Sequence, residues 1–236
     1  MNRRFALAAL PLALIALTGA KGPPTHRAPA KAPAPQPAPQ PAPLGDTVRV
    51  AMVTALGTIT LDLDHKHAPV TVENFVRYVD AKRFDGINIY RAMHLAWGEQ
   101  PNGLIQGGLQ GNPLKVFKPI AHEPTSQTGL SHTAGTISMA RRAPGTADAD
   151  FSIMLSDLTS LDADPASSNP ETQAGFAAFG HVVAGMDVVR RIWDSPVSAD
   201  KGEGPLKGQM LDPPIKLLSV RRVPVPAPAI MPAPAG

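Results

Sequence analysis

Two apolar-rich runs, Thr47 to Leu56 (TVRVAMVTAL) and Thr58 to Asp64 (TITLDLD), read as strands on either side of Gly57. In the second run Ile59, Leu61 and Leu63 alternate with Thr58, Thr60, Asp62 and Asp64, which predicts a half-buried strand. The period then changes. Beyond Pro69, which suits a first helical turn, Val72, Phe75, Val76 and Val79 fall at i, i+3, i+4 and i+7 and share one helical face. Phe84-Asp85-Gly86 reads as a turn. Ile87 to Met93 follows as a strand, with Ile87, Ile89 and Arg91 on one face and Asn88, Tyr90 and Ala92 on the other. Pro119 to Leu130 is loop-like, and Gly135 to Arg141 reads as a strand. Gly185 opens a second helix with Met186, Val189 and Ile192 on its inner stripe, and Ile215 to Val223 supplies a closing strand. Periodicity alone therefore gives a mainly β protein with two helices.

The ends of the chain differ from this middle. Of 27 prolines among 236 residues, nine lie in residues 21–45 and five in residues 224–236. Neither stretch has the periodicity to bury a core, so both read as Pro/Ala-rich disordered or polyproline II segments. Met1 to Ala20 places Arg3 and Arg4 before an apolar run from Phe5 to Leu17 and the small residues Thr18-Gly19-Ala20, the pattern of a signal peptide. This predicts a periplasmic or otherwise extracytoplasmic protein, touching the membrane only if the signal segment stays uncleaved. Residues 46–223 are then one domain. The formal charge of +3 belongs to the ends: Arg3, Arg4, Lys21, Arg27 and Lys31 precede residue 46, leaving 17 basic against 19 acidic side chains, or −2, in the domain. No clustered basic face results, so no nucleic-acid partner is expected. The absence of cysteine rules out disulfides and thiolate metal sites. His122-Glu123 and His132 match no common metal-ligand spacing and read as polar groups of a loop, so no metal and no cofactor are expected.

Four strings carry a resemblance. Ala68-Pro69-Val70-Thr71-Val72-Glu73-Asn74-Phe75 is one. Phe84-Asp85-Gly86, Ile89-Tyr90-Arg91 and Leu104-Ile105-Gln106-Gly107-Gly108 form the second. Gly135 to Arg141 is the third, and Phe179-Gly180-His181-Val182-Val183-Ala184-Gly185-Met186-Asp187-Val188-Val189 the fourth. In this order they resemble the cyclophilin-type peptidyl-prolyl cis-trans isomerases over nearly all of 46–223. About seven extra residues, around His94 to Asn102, separate the arginine from the glutamine. The resemblance implies a closed eight-stranded antiparallel barrel capped by two α-helices, the first of them plugging the barrel. It also implies a cofactor-free monomer acting on proline-containing segments of unfolded or exported proteins.

Prolyl isomerisation has a barrier of about 20 kcal/mol because the imide bond has partial double-bond character. Catalysis needs no nucleophile; it needs an apolar grip on the ring and a donor aimed at the prolyl nitrogen as that atom pyramidalises. The resemblance assigns the donor to Arg91. Gln106 is expected to orient it or bind substrate backbone, and Ala140 with the Arg141 backbone to pair with the peptide. Leu104 and Leu161 stand as apolar pocket residues. The family's pocket aromatics fall at Gly103, Ser152 and Ser160, where this chain has none, and its pocket-side histidine falls near Phe176. Trp97 is expected either to swing into the pocket or to pack on the barrel rim. Asp150 replaces a neutral glutamine beside Arg91 and is expected to pair bidentately with it and slow the reaction, or else to pair with Arg142. The alternative to a folding enzyme for exported chains is a non-catalytic module that binds proline segments or a partner protein.

Overall fold

A computed structural model of the chain describes residues 43–225. The expected signal peptide, all of the 21–45 linker before Pro43 and residues 226–236 of the tail lie outside these residues. The strands are β1 (Thr47–Thr54), β2 (Gly57–Asp64), β3 (Asn88–His94), β4 (Gly103–Gly108), β5 (Thr136–Met139), β6 (Phe151–Met154), β7 (Ala177–Ala184), β8 (Val197–Ser198) and β9 (Met210–Arg222). Neighbours run β1-β2-β7-β5-β6-β4-β3-β9, and β1 pairs back onto β9, so eight antiparallel strands close on themselves. The two-residue β8 only extends the edge of β9. This is the eight-stranded barrel expected from the sequence. Closure leaves no long unpaired edge among the described strands.

The interior takes alternate residues of each strand. Val50 and Met52 of β1, Ile59, Leu61 and Leu63 of β2, and Ile105 of β4 are at most 1% exposed. The helix α1 (Pro69–Asp80) closes one end with the stripe read from the sequence. Phe75 sits at its centre, with ring centroids 4.9 Å from Phe84, 5.4 Å from Phe179 and 5.7 Å from Phe151. Tyr78 stacks on Phe84 at 5.2 Å. No side chain of its own N-cap residue, Ala68, caps this helix. Glu123 does so from the loop, with Val70 N–H donating to Oε1 (3.1 Å) and Thr71 N–H to Oε2 (2.7 Å). A carboxylate at a helix N-terminus satisfies free amides and complements the helix dipole. Glu123 is therefore a cap, which the reading of it as a loop polar group missed.

The other helix at the barrel is α4 (Met186–Trp193), with Val188, Val189, Ile192 and Trp193 buried and Met186 only partly so. The inner stripe is thus rotated slightly from the one expected. Trp193 Nε1 donates to the Met93 carbonyl at 2.8 Å, fixing the far end of β3. Two short helical segments, α2 (Thr125–Thr128) and α3 (Pro170–Ala174), lie in the long loops.

Candidate active site

The site begins with an irregularity in β3. Ile89 is opposite Gly107 while Arg91 is opposite Gln106, so the pairing shifts between residues 89 and 91. Strict alternation would have set Arg91 beside Ile87 and Ile89 and sent Tyr90 the other way. The bulge at Tyr90 breaks that alternation. Ile89 and Ala92 both enter the core, while Tyr90 and Arg91 are both directed to the outer face over β4.

There the polar side chains form one connected line. Arg91 Nε donates to Gln209 Oε1 (2.8 Å) and Nη1 to Gln106 Oε1 (2.7 Å). Gln106 Nε2 donates to the Tyr90 hydroxyl (2.7 Å), which in turn reaches Asp150 Oδ2 at 3.3 Å. Gln209 is anchored by its own Nε2 on the Pro205 carbonyl (2.9 Å). A guanidinium has five N–H donors. Two are spent on holding it, and among the described residues Nη2 meets only the Met93 thioether, at 3.4 Å, a weak acceptor. Burial pulls the Arg91 pKa down from its ordinary value, yet an arginine remains charged. The arrangement fixes the orientation of a cation and leaves donor capacity on Nη2.

Beside Nη2 lies an apolar patch separate from the barrel core. Leu104, Met154 and Leu158 are buried together, with Met93, Leu95 and Leu161 packed around them. Leu104 and Leu161 are thus brought together as expected. Of the missing aromatics, Gly103 has a physical explanation. Its φ is +149°, and a Cβ there would collide with the Met93 carbonyl and crowd the Trp193 indole. Ser152 is buried on β6, and Ser160 is exposed in the 3-10 turn Thr159–Leu161. Phe176 comes beside the patch, its N–H donating to the Leu161 carbonyl at 2.9 Å. Trp97 neither enters the pocket nor packs on the rim: it is 63% exposed.

Asp150 requires a correction. It pairs with neither Arg91 nor Arg142. Its Oδ1 accepts from the Gln110 N–H at 2.8 Å and its Oδ2 from Tyr90. The bulge explains this, because it brings Tyr90 between the two groups and Gln106 takes the guanidinium. Asp150 therefore braces the turn after β4 and acts on Arg91 only through Tyr90 and Gln106. A side chain on Gly108 (φ +143°) would collide with that carboxylate. Burial, opposed by the Gln110 N–H, pushes the Asp150 pKa above its ordinary 3.8. A carboxyl raised in the folded state stabilises fully below its unfolded pKa, and that contribution is lost as pH rises through the folded value. Asp150→Asn keeps an acceptor for Gln110 and removes the buried charge. It is expected to raise stability at pH 7 by on the order of 1 kcal/mol, and the gain should shrink as pH falls toward 4. Urea denaturation at the two pH values checks this; a loss at pH 7 would mean that the charge, not the acceptor, holds the turn.

Ala140 and Arg141 follow β5. The Ala140 N–H is taken by the Asp150 carbonyl (2.8 Å). The Arg141 side chain is taken up by the 171–176 segment, donating from Nε to the Gly175 carbonyl (3.1 Å) and from Nη1 to Glu171 (2.7 Å), with its guanidinium 4.6 Å from the Phe176 ring. Only its backbone remains for a peptide, and its side chain props the Phe176 segment.

Behind the patch, His132 is fully buried. Its Nε2 meets Ser138 Oγ at 2.8 Å and its Nδ1 meets Asp162 Oδ1 at 2.5 Å. This is more than the loop polar group expected from sequence. It is not an acyl-transfer triad, because Ser138 is 2% exposed and its hydroxyl also faces the Ala177 carbonyl at 3.1 Å. The contact with Asp162 ties the Leu161 turn to β5, and burial holds the His132 pKa down. A separate polar groove of about 640 Å³ lies on the β2–β7 wall, lined by residues including Asp62, Asp64 and His181, and holds none of these groups.

A family model described as cyclophilin type peptidyl-prolyl cis-trans isomerase/CLD matches residues 49–219. The chain belongs to the cyclophilin-type peptidyl-prolyl cis-trans isomerase family. A peptidyl-prolyl cis-trans isomerase of Acinetobacter baylyi is 34% identical over 176 residues, covering 73% of this chain and 84% of that protein. Peptidyl-prolyl cis-trans isomerase A of Dickeya dadantii is 33% identical over 150 residues, covering 62% of this chain and 71% of that protein. Among solved structures, a Cryptosporidium parvum cyclophilin type isomerase, determined in the presence of the dipeptide Ala-Pro, superposes with a TM-score of 0.58. At 17% identity it covers 75% of this chain and 99% of its own, which bears on the fold.

In this cyclophilin the sequence reading missed Gln209, Met93 and Tyr90 as neighbours of the arginine. Gln209 is 118 positions from Arg91 and carries no local signal. Tyr90 could have been found only by suspecting a bulge, for which the adjacent Tyr90-Arg91 pair before Ala92 is a thin cue.

Proposed function

We propose that this cyclophilin isomerises X-Pro bonds in exported chains, with Arg91 as the catalytic donor and the Leu104–Met154–Leu158 patch gripping the proline ring. The observation that carries this is the guanidinium held at Nε by Gln209 and at Nη1 by Gln106, with Nη2 beside the patch. As the imide twists, its nitrogen loses conjugation and gains a lone pair. A hydrogen bond from Nη2 to that nitrogen is stronger in the twisted state than in the planar one, which is what lowers a barrier. The donor is pre-oriented, so little reorganisation is needed at the moment of reaction. Ala140 and the Arg141 backbone would run beside the peptide, and Gln106 works by orienting Arg91. The positions of the family's pocket aromatics are Gly103, Ser152 and Ser160 here, which leaves the ring to the leucines and methionines of the patch, a weaker grip that supports a reduced rate. The same shortage favours the second reading, a module that binds proline segments without turnover.

Exchange NMR on short X-Pro peptides tests the two readings. Catalysed cis–trans exchange is expected; binding without any acceleration would leave the binding module. The placement outside the cytoplasm rests on residues 1–20. Mass spectrometry of protein recovered from cells is expected to find an N-terminus near Lys21, and a soluble cytoplasmic species retaining residues 1–20 would overturn that placement.

A further inference from the structure

The insertion between β3 and β4 is a braced loop. The Leu95 N–H donates to the Asn102 carbonyl (2.9 Å), and Gln100 Nε2 donates to the Leu95 carbonyl (3.0 Å). Asn102 Nδ2 donates to the Trp97 carbonyl (2.6 Å), and its Oδ1 accepts from Ser156 Oγ (2.6 Å) on the turn after β6. Asn102 is only 4% exposed, so the brace is rooted in the domain. Leu95 packs on the Leu104–Met154–Leu158 patch. Trp97, two residues further, is the one aromatic among the large exposed apolar side chains of the described residues. The loop thus continues the apolar surface of the proline pocket outward and ends in an indole held by its backbone with its ring in solvent.

We propose that Trp97 is an outer subsite of the groove, taking an aromatic or large aliphatic side chain that lies within two residues of the substrate proline. The occupant follows from continuity: a peptide whose proline sits on the patch must leave the pocket past Leu95 or toward Ala140. The Ala140 end is polar, with Gln106, Tyr90 and Asp150 along it, whereas the Leu95 end is apolar. Contact with an indole face adds area without demanding a hydrogen-bond partner. This makes Trp97 a specificity-determining residue of the proposed reaction, on which the inference rests.

The test uses the full chain and matched X-Pro peptides carrying phenylalanine or serine at successive positions around the proline. For one placement, kcat/KM with phenylalanine is expected to exceed that with serine by about 3- to 10-fold. Trp97→Ala should bring this ratio to within about twofold of one, and Trp97→Phe should retain most of it. A second readout needs no turnover: the Trp97 indole N–H in the NMR spectrum, distinct from that of buried Trp193, should shift with the phenylalanine peptide and not with the serine one. If exchange is absent but Trp97 responds, the subsite stands and the isomerase reading falls. If exchange occurs with a ratio that Trp97→Ala leaves unchanged, the subsite is overturned. A silent Trp97 overturns it whether or not exchange occurs.

Discussion

Arg91→Ala is expected to lower kcat/KM by about 10²- to 10³-fold, the usual cost of removing one donor from a developing charge. The loss should fall mainly in kcat, because the patch that holds the ring stays in place and the missing hydrogen bond matters most in the twisted state. Arg91→Lys should recover little. A lysine ammonium cannot keep two directed bonds to Gln209 and Gln106 and still present a third donor in a fixed plane. Arg91 lies on the outside of the barrel, so neither change should move the thermal midpoint by more than a few degrees. Exchange NMR on one X-Pro peptide, with circular dichroism melts as a control, decides the matter. A variant within threefold of the parent would remove Arg91 from the chemistry.

Phe75→Ala should cost about 3–5 kcal/mol of stability, as truncations of buried aromatics do. Phe75 is 1% exposed and meets Phe84, Phe179 and Phe151 within 6 Å. These three come from the turn after α1, from β7 and from β6, so no single element can close the void. For a domain of this size, such a loss lowers the midpoint by roughly 10 °C or more. Urea titration measures it, and a change below about 1 kcal/mol would mean that α1 does not plug the barrel through this residue.

The elements were legible where burial imposes a period. Ile59, Leu61 and Leu63 alternate because β2 has one wet face, and Val72, Phe75, Val76 and Val79 recur because α1 has one dry stripe. Leu104 and Leu161, read from their motifs as apolar neighbours of one site, share one patch, and Gln106 bonds Arg91. The reading failed where a side chain's direction depends on a partner far along the chain. Asp150 was expected to take Arg91, but the bulge at Tyr90 set a hydroxyl between them. Gly103 looked like a lost pocket aromatic, yet Met93 and Trp193 leave no room for a side chain there. His132 and Glu123 looked like loop residues because their partners, Ser138 and Asp162 for one and the first turn of α1 for the other, are joined to them only by the fold.

By itself the sequence determined that the middle of the chain is mainly β with two helices, and its motif strings carried the family and the position of Arg91. These follow from local patterns, since period and turn chemistry act over a few residues. Only the tertiary structure decided what Arg91 can do. Closure of the barrel brings Gln209 to its Nε, and the bulge turns it to the outer face beside Leu104 and Met154. Both depend on contacts between residues far apart in the chain, and hydrogen-bond geometry is fixed by the positions of atoms in space, which no spacing along a sequence contains.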